Sequence, residues 1–320
     1  MTLLSRIALI ALLALPQLVL GQTFPSKPIR LIVPYAAGGA VDALCRPLAQ
    51  KITELTGQPV IVDNRPGANA TLGTNIVARA APDGYTIVMS SINHYIVPFF
   101  SKNVPYDAVR DFTPIIIATV VPNVIAVHPS LPVNSIRELI DYAKKNPGKV
   151  FYGTTGIGST HQLGGIMLGQ MARIEIEHVP YKGGAPTIND VLAGSIPMAI
   201  LTATTILPHA RAGRLRALAV IEGKRARAAP ELPSVGETVQ GYAVPDTWLG
   251  VLAPANTPRP VAESLNSIIR KAMHAPDVKP RIEALGMEVT GNTLDEFAAT
   301  VRSDVEVFRK ILTTAGIKPE

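Results

Sequence analysis

The 320-residue chain has one cysteine, one tryptophan and 5% aromatic residues, and only 17% of its residues are charged. A lone Cys45 excludes an internal disulfide. Beside Leu44 and Leu48, on the apolar side of a helical pattern, it reads as a small core residue rather than a nucleophile. Aromatics this sparse, and not interleaved with basic residues, argue against a nucleic-acid surface. The net charge of +6 is thinly spread, and its one local cluster, Lys224-Arg225-Ala226-Arg227, reads as a solvated loop ending at Pro230. A mild positive field of this kind gathers anionic solutes.

Catalytic signatures are equally scarce. Gly156-Ile157-Gly158 begins a dinucleotide fingerprint, but His161 stands where its third glycine belongs. Gly223-Lys224 lacks the upstream glycine and the following hydroxyl residue of a phosphate-binding loop. No serine elbow and no paired-histidine zinc motif occurs. The histidines at 94, 128, 161, 178, 209 and 274 show no metal-ligand spacing. Ser159 and His161, adjacent at a helix start, would not easily align as nucleophile and base, which leaves a serine hydrolase as an alternative reading only. The reading is therefore a non-enzyme without cofactor or metal.

Long apolar runs are absent beyond the first residues. Arg6 precedes an uncharged stretch from Ile7 to Leu20, interrupted at Pro16 and followed by Gly21 and Gln22. It is too short for a span of about 20 residues and reads as a secretory signal peptide cleaved near Gly21. An exported chain of about 300 residues without disulfides relies on its core and normally divides into two domains.

What is present is strand-and-helix alternation, which predicts α/β architecture with largely parallel sheets. Ile29 to Val33 form an apolar run, and Val41, Leu44, Leu48, Ile52 and Leu55 recur at helical spacing. Between them lie Tyr35, Ala36, Ala37, Gly38 and Gly39, small residues at a helix start, where free backbone N–H groups and the helix dipole favour an anion. The glycines equally serve a plain turn. Asp42 reads either as a first-turn cap or as an acceptor for a donor on the ligand. The pattern returns at Val150-Phe151-Tyr152 and the loop Gly153 to His161, with Thr154, Gly158, Ser159 and Thr160, ahead of Leu163, Ile166, Met167 and Met171. Two helix starts facing one cleft between lobes are the expectation.

Three further strand ends join them. If the strands are neighbours, Ser90, Ser91, Asn93 and His94 come near the first loop. Tyr181 and Lys182 stand in a third glycine turn, and Thr202 begins a hydroxyl run ending at Thr205. His94 and His161 read as ligand hydrogen-bond partners or as capping and core residues. The lobes are expected to join near Asn123 to Pro129 and again near Tyr242 to Leu252, with the final segment returning to the first lobe.

The chain resembles, over nearly its full mature length, the extracytoplasmic solute receptors of the tripartite tricarboxylate transporter system, the TctC or Bug proteins. The matching stretches are Phe24 to Pro34, Ala37 to Asp42, Val62 to Ala68, Pro82 to Thr86, Pro105 to Asp107, Asp111 to Pro114, Val179 to Gly184, Gly213 to Val220 and Trp248 to Pro254. The resemblance implies a periplasmic binding protein of type II, two α/β lobes around a ligand cleft joined by hinge strands. Lobe 1 would comprise residues 22–123 and 246–320, and lobe 2 residues 124–245. It implies a monomer that closes on a small organic acid and hands it to membrane subunits of a tripartite transporter or to a sensor kinase. It further implies that the loops Tyr35 to Asp42 and Gly153 to His161 pinch the ligand through amides, hydroxyls and water. Departures from the family pattern are Val41, for a usual hydroxyl residue, Leu201, for a usual Asp, and Thr204, for a usual Pro. They are expected to make the pocket wall less polar.

Overall fold

Strand-forming runs separated by helices are sorted into two sheets in the computed structural model, which describes residues 24–319. The expected leader over residues 1–21 lies outside the described residues. The chain builds β1 (Ile29–Val33), β2 (Val60–Asn64), β3 (Thr86–Ser91) and β4 (Phe112–Val120) in one sheet. It then builds β5 (Asn123–Val127), β6 (Val150–Thr154), β7 (Ile176–Pro180), β8 (Met198–Thr202) and β9 (Arg216–Val220) in the other. It returns to the first sheet with β10 (Trp248–Pro254) and β11 (Glu288–Val289). The strand orders are β11-β4-β10-β3-β1-β2 and β7-β6-β8-β5-β9.

β1 lies between β2 and β3, parallel to both, so their carboxyl ends share one edge of the sheet. β6 is likewise parallel to β7 and β8. Elsewhere the expectation of largely parallel sheets gives way. β10 runs antiparallel to β3 and β4, and β5 antiparallel to β8 and β9. The strands flanking the crossings carry the chain out of one sheet and back into it, which reverses their direction. The crossings lie side by side, with Val121 N–H donating to Thr247 O at 2.7 Å.

The helix Ala40–Thr56 buries Leu44, Cys45, Leu48 and Ile52 against β1 and its neighbours, as its apolar spacing requires. Leu55, on the same predicted stripe, is instead exposed near the helix end. A second apolar cluster runs through both lobes, from Ile32 and Val88 to Ile125, Met198 and Leu163, with Trp248 and Phe297. The final helix, Leu294–Thr314, starts with a reciprocal capping box between Thr293 and Glu296. It packs on β4 and on the second-lobe helix Thr160–Ala172, so it bridges the lobes rather than returning to the first alone.

Candidate functional site

At the carboxyl end of β1 the loop turns at Gly38, whose φ of +79° a side chain adopts only with strain. Its N–H donates to Asp42 Oδ2 at 2.9 Å. Asp42 also accepts from Arg46 Nε (2.8 Å) and Nη2 (3.0 Å) and from Asn64 Nδ2 (3.0 Å). The Arg46 guanidinium holds this buried carboxyl below its ordinary pKa. Asp42 therefore locks the loop from inside. Gly39 N–H donates to Ala36 O at 3.3 Å, so both glycine amides are engaged, while those of Ala36 and Ala37 have no partner among the described residues.

The loop after β6 is built the same way. Gly158 N–H donates to Gln162 Oε1 at 2.8 Å, and Gly156 N–H to Thr154 Oγ1 at 3.1 Å. Ser159 caps its helix by accepting from Gln162 N–H, and its hydroxyl donates to Gly156 O at 2.7 Å. The glycines thus shape both loops, and the N–H groups of Gly38, Gly39, Gly156 and Gly158 are engaged within them. The loops belong to different lobes, and the lobes touch where Thr160 N–H, at the start of the helix after β6, donates to Oδ1 of Asn93, just after β3, at 3.3 Å.

Between them opens a cleft of about 780 Å³. Its walls are Pro34 to Ala36 after β1, Pro66 to Ala70 after β2, Asn93 and Val97 after β3, Thr155 to Ser159 after β6, and Pro180 to Gly183 after β7. Among the described residues no acidic side chain lines it, and Lys182 is its one formal charge. Because Asn93 Oδ1 is held by Thr160, its Nδ2 has no partner among the described residues and offers two hydrogens.

Ala68, Asn69 and Ala70 adopt consecutive left-handed conformations, with φ of +46°, +52° and +72°. For Ala68 and Ala70 this costs about 1–2 kcal/mol apiece, whereas asparagine adopts the region more readily. Thr71 N–H and Oγ1 both donate to Ala68 O (3.1 and 2.6 Å), and Thr74 N–H and Oγ1 to Ala70 O (3.1 and 2.9 Å), which pins the turn. The amides of residues 68–70 find no acceptor among the described residues. Strain maintained in this way gathers at functional sites.

Of the residues singled out in the sequence, Tyr35, Ala36, Asn93, Gly158, Ser159 and Tyr181 line the cleft. Ala37, Gly38 and Gly39 continue the first loop, exposed. Tyr181 presents its ring, since its hydroxyl donates to Asp190 at 2.6 Å and its pKa is pushed up to about 12, first by burial. Ser91 stands behind, bonded to the Tyr35 hydroxyl at 2.9 Å. Thr154 bonds His178 at 2.7 Å, Thr160 accepts from Thr247 at 3.0 Å, and His161 bridges Asn123 and Thr155.

Two residues lie elsewhere. His94 is buried among the rings of Tyr95, Tyr106 and Phe112, with Nε2 on Ala108 O at 2.9 Å, and burial lowers its pKa to about 4. Thr202 is bonded to Thr204 and Thr205 (2.8 and 3.0 Å), outside the cleft lining. Leu201 is fully buried in the second-lobe core and Val41 packs on the first, and neither is among the residues that line this cleft. The wall formed by residues 66–70 and the part of Thr155 were missed; the small-residue run Gly67 to Ala70 at a strand's carboxyl end was the available signal.

A sequence model described as "Tripartite tricarboxylate transporter family receptor" matches residues 44–317. A UPF0065 protein from the tcbD-tcbE intergenic region of Pseudomonas sp. (strain P51) is 38% identical over 91% of this chain and 87% of its own. Among solved structures, R. palustris Rpa4515 with adipate is 33% identical, with a TM-score of 0.82 over 93% of this chain and all (100%) of its own. MatC (Rpa3494) from Rhodopseudomonas palustris with bound malate is 26% identical, with a TM-score of 0.77 over 90% of this chain and 100% of its own.

Proposed function

Because the chain belongs to the receptor family of the tripartite tricarboxylate transporters, we propose that it captures a small carboxylate or related organic anion in the periplasm and delivers it, unchanged, to the membrane subunits of such a transporter. The observation that carries this reading is a cleft between two lobes with no acidic lining, unpaired Asn93 Nδ2 hydrogens, unpaired amides at residues 68–70 and one lysine. Neutral donors on preorganised loops recognise a carboxylate without the tight ion pairing that would slow release. The adipate and malate of the related structures support the same class. We assign residues 22–123 and 246–320 to one lobe and 124–245 to the other, with the paired crossings as the hinge on which the cleft closes.

The test is a thermal-shift panel of mono-, di- and tricarboxylates against their methyl esters. A specific acid at a hundredfold excess over its Kd adds about 2.7 kcal/mol of stability, and its ester adds none. No shift with any acid, or equal shifts with acid and ester, overturns the reading.

A further inference from the structure

A chain of hydrogen bonds runs from the crossings to the cleft and fixes which way one hydroxyl points. Asn123 opens β5 just after the first crossing and is fully buried. Its backbone N–H and its Nδ2 both donate to Oε1 of the buried Glu222, each at 2.9 Å. Nδ2 donates again, at 2.6 Å, to Thr247 Oγ1 on the second crossing. Turning the carboxamide over would set Oδ1 against a carboxyl oxygen that already accepts from the same residue. Oδ1 therefore accepts from His161 Nε2, 2.8 Å away, and Nε2 carries the ring hydrogen. Burial lowers the pKa of His161 to about 4, so the ring is neutral and Nδ1 is bare. Bare Nδ1 lies 2.9 Å from Thr155 Oγ1 and takes its hydrogen. Thr155 lines the cleft, where its oxygen now has lone pairs alone to offer.

We propose that Thr155 is a specificity-determining acceptor, through which the cleft selects organic anions bearing a hydroxyl or ammonium beside the carboxylate over analogues with a methylene there. This rests on the carboxylate reading above. Asn93 supplies the opposite polarity, since its free Nδ2 donates to the carboxylate while Thr155 receives the ligand's own hydrogen. A carboxylate oxygen set against Thr155 meets lone pair with lone pair. Glu222 and Asn123 are positioning residues: they touch no ligand but set the tautomer of His161 and, through it, the rotor of Thr155.

Titration calorimetry on the full mature chain tests this with two pairs, malate with succinate and 2-hydroxyadipate with adipate. The wild-type protein is expected to bind the hydroxylated member of at least one pair about tenfold more tightly. Thr155→Val keeps the shape and removes the acceptor; it should lower affinity for that hydroxy acid about tenfold and leave its partner within about twofold. Glu222→Gln retains an oxygen for the two Asn123 N–H groups and should keep the preference, whereas Glu222→Leu should abolish it. Equal affinities within both pairs in the wild type, which needs no variant to fold, overturn the inference and leave the carboxylate reading standing. Equal weakening of both members by Thr155→Val also overturns it alone. Binding of none of the four acids overturns the inference, and a blank carboxylate panel would remove the reading beneath it as well.

Discussion

Asp42 shows how one side chain turns a permissive pair of glycines into a defined loop. It gathers the Gly38 amide, Asn64 and a bidentate Arg46 around one carboxylate, almost out of water. Asp42→Asn is expected to cost about 1–3 kcal/mol in urea unfolding, because a charge-assisted fork becomes a neutral contact. Its folded pKa is depressed, so the stability it contributes is present above the ordinary carboxylate pKa and is lost as pH falls through the folded value. The variant should therefore lose less stability on acidification than the wild type. Lys182 acts differently, as an exposed point charge at the cleft. Lys182→Gln should weaken carboxylate binding about threefold to tenfold and flatten its salt dependence, since screening acts on such exposed charges. Asn93→Leu should weaken binding more strongly at every salt concentration, because it removes a directed donor.

Among the elements, two buried carboxyls that bond residues at the crossings are pushed well above their ordinary pKa. Burial raises the Glu222 pKa to about 8 and that of Asp304, which accepts from Trp248 Nε1 at 3.2 Å, to about 7. A carboxyl with a raised folded pKa contributes stability that is whole below its unfolded pKa and is lost as pH rises through the folded one. His94 and His161, lowered from 6.5 to about 4, contribute in the opposite sense, with stability present above 6.5 and lost toward 4. Above pH 6.5 the carboxyls act without that compensation, so the melting temperature should fall between pH 6.5 and about 8. Glu222→Gln should remove part of that fall. These elements were legible in the sequence wherever the signal was local: the stripe from Leu44 to Ile52 buries its helix face. Facing was not legible. Asn93 and His94 are neighbours in sequence, yet one borders the cleft and the other an aromatic cluster. No glycine marks the left-handed run at 68–70, because Thr71 and Thr74 impose it from the following helix. The polarity of Thr155 depends on residues from distant strands and crossings, which no local pattern reveals.

At the scale of the molecule, two lobes share a core cluster and two adjacent crossings, and the single tryptophan stands on one of them. Trp248 is buried between Tyr95 and Phe297 at the start of β10. Its fluorescence should change saturably with a bound carboxylate and not with the ester, because closure on the hinge alters the packing around the indole. The central claim is that one ligand engages loops of both lobes at once. Amide hydrogen exchange with and without a carboxylate that passes the thermal panel tests this most directly. Slowed exchange is expected in residues 67–70 of one lobe and in residues 155–159 and 181–183 of the other; protection confined to one lobe, or lying outside these loops, would refute a shared site.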